Sequence, residues 1–126
     1  MSRSFDLENV YLALDGTGGV TPLPVGPNFW ATIEQNEQVR GTLAGVYAMT
    51  DDWPHWEMHP AGDEVLVLLE GEATFVFDEP QGVRHLPMHA GSTAIVPKGV
   101  WHRALISVPG RLLALTYGEG TLHRPL

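Results

Sequence analysis

A chain of 126 residues carrying seven Lys and Arg against fifteen Asp and Glu has a net charge of −8 with histidine neutral. That balance disfavours nucleic acid and anionic membrane surfaces, both of which are held by clustered Lys and Arg. The absence of cysteine excludes a disulfide framework and any thiolate metal site. The length suits one domain with a substantial core, and fourteen Gly with ten Pro point to many short strands joined by turns. No apolar run is long enough to cross a bilayer, and Met1–Asp6 lacks the basic and apolar regions of a signal peptide. The chain therefore reads as a soluble, cytoplasmic protein.

In chain order, Phe5–Leu14 reads as a strand, with a short helix as the other possibility. Asp15–Asn28 holds four Gly and three Pro and is expected to be a long loop or extended arm. Phe29–Ile33 and Gly41–Thr50 read as strands, with Val39, Leu43, Val46 and Tyr47 contributing to the core. Thr50-Asp51-Asp52 turns the chain into Trp53–Gly71, the stretch around which the rest is organised. Within it Glu57 and His59 are two residues apart and share one face of an extended strand. Pro60–Asp63 is a tight connection that returns Glu64 beside them. His102 would then arrive from further along as a fourth group.

Val65–Leu69 is apolar at successive positions, which predicts a second layer or a second subunit on its outer face, and hence a homodimer. Gly71 reads as a hairpin junction to the strand Glu72–Asp78. The turn Glu79–Gly82 leads to a strand Val83–Met88, and Gly91 opens another, Ser92–Val96, closed by Pro97-Lys98-Gly99. Trp101–Val108 and Arg111–Tyr117 read as the last two strands, separated by Pro109-Gly110, with a short tail from Gly118. With no internal repeat or linker, eight or more short strands indicate an antiparallel sandwich or barrel.

These residues resemble the two motifs of the cupin superfamily. The first motif has a His-x-His pair, then a Glu, then a Gly; here His59 matches the second His, Glu64 follows after four residues, and Gly71 after six more. The second motif, Gly91, Pro97, Gly99 and His102, matches in full, and its Pro-Lys-Gly turn aims His102 inward. The chain departs from the family where Glu57 replaces the first His, with His55 one strand period earlier, and where Ile106 replaces the usual Asn. The segment Trp56–Glu64 is also similar to a bacterial group of small cupins. The resemblance implies an all-β, double-stranded β-helix fold (an RmlC-like jelly-roll barrel). A single domain would span 1–126, with motif one at 53–71, motif two at 91–102 and an N-terminal strand or arm at 1–28. It also implies dioxygenase, isomerase or epimerase chemistry.

Two imidazoles with one or two carboxylates suit a divalent transition ion such as iron, manganese, nickel or zinc. The expected metal ligands are Glu57, His59, Glu64 and His102. Two bound carboxylates would formally neutralise the ion and soften its pull on a bound water. The plainer alternative is a satisfied polar network without an ion. Glu57, if it does not ligate, is the natural general base. His55 is an alternative ligand or a rim residue bonded to a ligating group. Trp53 and Trp101, with Trp56, flank the ligands as packing or as walls of a substrate pocket. Lys98 and Arg103 are possible rim cations, while Arg40 and Arg111 read as surface. His85 and His89 share a face without a third donor and read as solvated or capping groups. His123 falls in a mobile tail. Ser92 and Ser107 lack a nucleophile elbow, and no glycine-rich loop offers a phosphate site. Two functions follow: a metal-dependent enzyme acting on a small polar molecule, or a non-catalytic module that binds or senses a metabolite.

Overall fold

The structure, a computed structural model, describes residues 4–39 and 41–126. The start of the chain and Arg40, read above as a surface residue, lie outside them. Among the described residues nine strands run in chain order: β1 (Val10–Leu14), β2 (Val20–Pro24), β3 (Thr42–Met49), β4 (His55–Met58), β5 (Glu64–Glu79), β6 (Gly82–His89), β7 (Thr93–Val96), β8 (Trp101–Thr116) and β9 (Leu122–Pro125). All pairs are antiparallel. One path runs β2-β1-β3-β8-β4-β9, and β5 joins it by pairing with β8 while also holding β6 and β7. This is the all-β jelly-roll architecture. Among the described residues no helix is long and apolar enough to cross a membrane.

The two sixteen-residue strands β5 and β8 form the spine, paired along nearly their whole lengths. Both cross positions that sequence reading takes as breaks. Gly71 is not a hairpin junction, and Pro109-Gly110 does not separate two strands. The register instead shifts between Leu68 and Ala73, and the extra residues are absorbed as bulges. Gly71 adopts φ +88°, and a Cβ on Gly110 would lie 1.9 Å from the Glu70 carbonyl oxygen. The glycines therefore let the two bent backbones touch where each strand turns from one half of the barrel to the other.

Along β5, Leu66 and Leu68 are buried whereas Val65 and Val67 are only half-buried. The apolar run thus does alternate, with its second face pointing outward. Leu66, Leu68, Phe75, Phe77, Val96 and Leu112 form the main core, each worth about 1.5–3 kcal/mol of transfer free energy. A second cluster of Tyr11, Ala13, Leu23, Phe29 and Leu43 closes the barrel against the N-terminal region.

Three further segments differ from expectation. The strand begins at Val10 rather than Phe5, after a turn in which Asp6 accepts from the Asn9 and Val10 amides. The expected loop Asp15–Asn28 contains β2, whose Pro22 and Pro24 are tolerated because β2 is an edge strand. Phe29–Ile33 is no strand: the Asn28 carbonyl accepts from both the amide and the hydroxyl of Thr32, and a 3₁₀ turn follows at Ile33–Gln35. Phe29 instead packs edge-on to Tyr11 and to Trp30, and Trp30 lies tilted against Tyr11. Arg111, read as a plain surface residue, pairs with Glu8, Asp6 and Glu70 and so pins the N-terminal turn to the β5–β8 bend.

Candidate metal centre

The two sequence motifs meet through backbone bonds before any side chain is considered. The Gly99 amide donates to the His59 carbonyl (2.9 Å) and the Lys98 amide to Asp63 Oδ1 (2.8 Å), which ties the Pro97–Gly99 turn to the Pro60–Asp63 turn. Glu57 on β4 and His102 on β8 are direct register partners. His59 follows β4 by one residue and Glu64 opens β5. All four side chains consequently point into the barrel at one level.

His102 Nε2 lies 3.2 Å from Glu64 Oε1 and 3.7 Å from Glu57 Oε2; His59 Nε2 lies 3.3 Å and 3.5 Å from the same atoms. Ligands about 2.1 Å from a common ion are separated by about 3.0 Å in cis octahedral and about 3.4 Å in tetrahedral geometry. The observed spacings fall around those values, and one donor atom from each residue lies within 4.8 Å of all the others. His102, His59 and Glu64 are almost wholly buried, yet His102 Nε2, His59 Nε2 and Glu64 Oε1 have no hydrogen-bond partner. Three converging, buried polar atoms without a hydrogen bond are costly unless charge satisfies them, either a proton on His59 beside the two carboxylates or a bound ion. A divalent ion is the group that fits this donor set.

The far side of each ligand is held. His102 Nδ1 donates to the Val100 carbonyl (3.0 Å), and the Thr116 hydroxyl donates to Glu64 Oε2 (2.5 Å). His59 Nδ1 lies 2.8 Å from Thr121 Oγ1, and His123 Nε2 donates to Glu57 Oε1 at 3.2 Å. Thr116 and Thr121 are not singled out by the sequence reading, and His123 appears there only as part of a mobile tail. Their partners are 52, 62 and 66 residues distant, and no local pattern advertises them. His123 lies on β9 and not in a loose tail.

On Glu57, His59 and Glu64 burial opposes charge, and the opposite charges outweigh it. For His59, burial favours the neutral form, but Glu57 and Glu64 raise its pKa to about 9. For Glu64, burial acts upward, but His102 and His59 bring the carboxyl down to about 2. Glu57 is likewise lowered, with burial opposed chiefly by His59.

The remaining candidates separate by face. The His55 ring is 4.6 Å from that of His123, at the side of the cluster and outside the four-donor set. Trp53 packs edge-on to Phe75 and 6.0 Å from the His102 ring, so it belongs to core and site together. Trp101 alternates with His102 along β8 and faces the other way, beneath the Arg124 guanidinium, which also covers Trp56. Arg103 stacks over Trp56 on that same outer face. Trp101, Trp56 and Arg103 thus do not line the centre, because strand alternation turns them out. The Lys98 side chain is exposed, and Ser92 bonds His89 within a turn.

The cupin-domain family model matches residues 47–115, more than half of the chain. The chain belongs to the cupin family. Among solved structures it is similar to the protein NMB1881 of Neisseria meningitidis, with 26% identity over 62% of this chain and 75% of that one (TM-score 0.51). It is also similar to HppE, seen with cobalt(II) in complex with substrate, with 21% identity over 61% of this chain and 45% of that one (TM-score 0.53). A third is oxalate decarboxylase of Bacillus subtilis, which has Mn(II) centres, with 16% identity over 74% of this chain and 26% of that one (TM-score 0.59). The chain thus spans less than half the length of these last two. Comparison with curated proteins gives no significant match.

Proposed function

We propose that Glu57, His59, Glu64 and His102 hold a divalent transition ion, and that the protein is a metal-dependent cupin enzyme of the oxygenase or isomerase type acting on a small polar molecule. The observation that carries this reading is the set of three buried, unpartnered donor atoms turned toward one point. The metal forms of HppE and the Mn(II) centres of oxalate decarboxylase lend it support by fold likeness. A bound ion supplies Lewis acidity and, when it is iron or manganese, redox capacity.

The chain's own residues divide the remaining work. His59, Glu64 and His102 are enclosed, while the Glu57 side chain keeps 24% of its surface exposed and so marks the open side of the centre. A substrate approaching from that side meets Glu57 first, and a Glu57 that did not ligate would be placed there to accept a proton. Metal analysis of protein purified without added metal tests the reading directly, followed by turnover assays with oxygen uptake.

A second reading, a metabolite-binding module, draws on the two carboxylates, which would neutralise a divalent ion and weaken its activation of a bound water. A filled site with no turnover across oxygenase and isomerase substrates would favour it. The homodimer is also part of this proposal. Val65, Val67 and Leu69 face outward on β5, with Ile95 63% exposed beside them on β7, and this apolar strip is the surface a second copy would cover. Sedimentation velocity checks it.

A further inference from the structure

The short strand β9 ends the sheet path and pairs with β4 in the register His55↔Pro125, Trp56↔Arg124, Glu57↔His123 and Met58↔Leu122. Its two faces do different things. On the outside, Arg124 pairs with Asp78 and lies over Trp56 and Trp101, which clamps the strand to the barrel wall. On the inside, the same segment reaches two of the four metal-ligand candidates.

We propose that the C-terminal segment Gly118–Pro125 is a working part of the metal centre, with Thr121 and His123 as positioning residues that set its affinity for the ion. The proposal rests on the metal-centre reading above. A count of hydrogens fixes the role of Thr121. Its hydroxyl has one, and the Gly118 carbonyl at 2.7 Å takes it. Toward His59 Nδ1, 2.8 Å away, Thr121 Oγ1 then acts only as an acceptor, so Nδ1 carries a hydrogen. That assigns the tautomer in which Nε2, the atom facing the centre, is the one free to ligate.

His123 acts through direction. A carboxylate can turn either oxygen to an ion or chelate with both. By donating to Oε1, His123 holds that oxygen outward and leaves Oε2 to the centre, 3.5 Å from His59 Nε2 and 3.7 Å from His102 Nε2. The one carboxylate of the set that is part-exposed is therefore also the one steadied from β9. Glu64, enclosed, is steadied from within β8 by Thr116.

The test is the affinity of the full chain for Zn²⁺ and Mn²⁺, each measured by competition with a chromogenic chelator. Thr121→Val and His123→Ala are each expected to weaken both ions by about 10–100-fold, with the metal-free protein still folded by circular dichroism. Thr121→Ser and His123→Gln, which restore an acceptor and a donor, should recover most of the loss. If a variant folds poorly, imidazole ¹H–¹⁵N spectra of the unaltered protein decide: a His59 ring with hydrogen on Nδ1 and the ion on Nε2 supports the assignment, and the reverse overturns it. Wild-type affinity in Thr121→Val and His123→Ala would overturn the role of Gly118–Pro125 while leaving the metal centre standing. An unaltered chain that binds neither ion would remove the centre itself.

Discussion

Glu57 and His102 face one another as register partners across β4 and β8, so one residue of each sequence motif is placed opposite the other by backbone pairing alone. Because the ladder brings them together, the centre should survive loss of one ligand as a fold while losing its ion. His59→Ala combined with His102→Ala is expected to abolish retention of metal through dialysis, read by elemental analysis. Unchanged metal content would refute the ligand assignment. Glu57→Gln separates two roles: lost metal identifies a ligand, whereas retained metal with lost turnover identifies a base.

Proton competition sets the pH dependence of loading. With its pKa raised to about 9, His59 carries a proton at neutral pH that an ion at Nε2 must displace. Ion affinity is therefore expected to climb by about tenfold per pH unit and to level off once that pKa is passed. Calorimetry in buffers of different ionisation enthalpy should show about one proton released per ion near pH 7. A pH-independent affinity between 6 and 9 would contradict the assignment of His59.

The metal-free protein should be most stable in a limited pH window. Glu64, lowered from 4.5 to about 2, contributes stability that is present above the higher value and lost as pH falls through the lower one. His59, raised from 6.5 to about 9, contributes stability that is full below the lower value and lost as pH rises through the higher one. Thermal melts should therefore peak between these ranges and fall on either side. With Zn²⁺ present the alkaline fall should shrink, since the ion takes the place of the His59 proton.

The close contact at the bends of β5 and β8 predicts an intolerant glycine. Gly110→Ala would place a methyl group against the Glu70 and Gly71 backbone, with nothing flexible to give way. It should cost well over about 1 kcal/mol in denaturant unfolding. For scale, Phe75→Ala in the main core, at 0% exposure, should cost about 3–5 kcal/mol. A Gly110→Ala protein as stable as the parent would mean the two strands can part without loss.

The convergence of Glu57, His59, Glu64 and His102 was readable from the sequence because their geometry is mostly local. A two-residue strand period, a four-residue turn and a Pro-Lys-Gly turn each fix a direction within a few bonds. An antiparallel sandwich or barrel was readable from strands punctuated by Gly and Pro, and the jelly roll from the resemblance of the two motifs to the cupin family. Other features depended on what lies across the sheet. Gly71 and Pro109-Gly110 read as breaks, yet β5 and β8 run through them, because each strand is held by the other and the misfit goes into bulges. β2 and β9 look like loop and tail, since edge strands take their order from a neighbour more than from their own composition. Trp101, placed beside a ligand by sequence, is turned outward by the alternation that turns His102 in. Thr116, Thr121 and His123 could be found only in three dimensions, because a hydrogen bond between residues more than fifty positions apart leaves no mark on either local sequence.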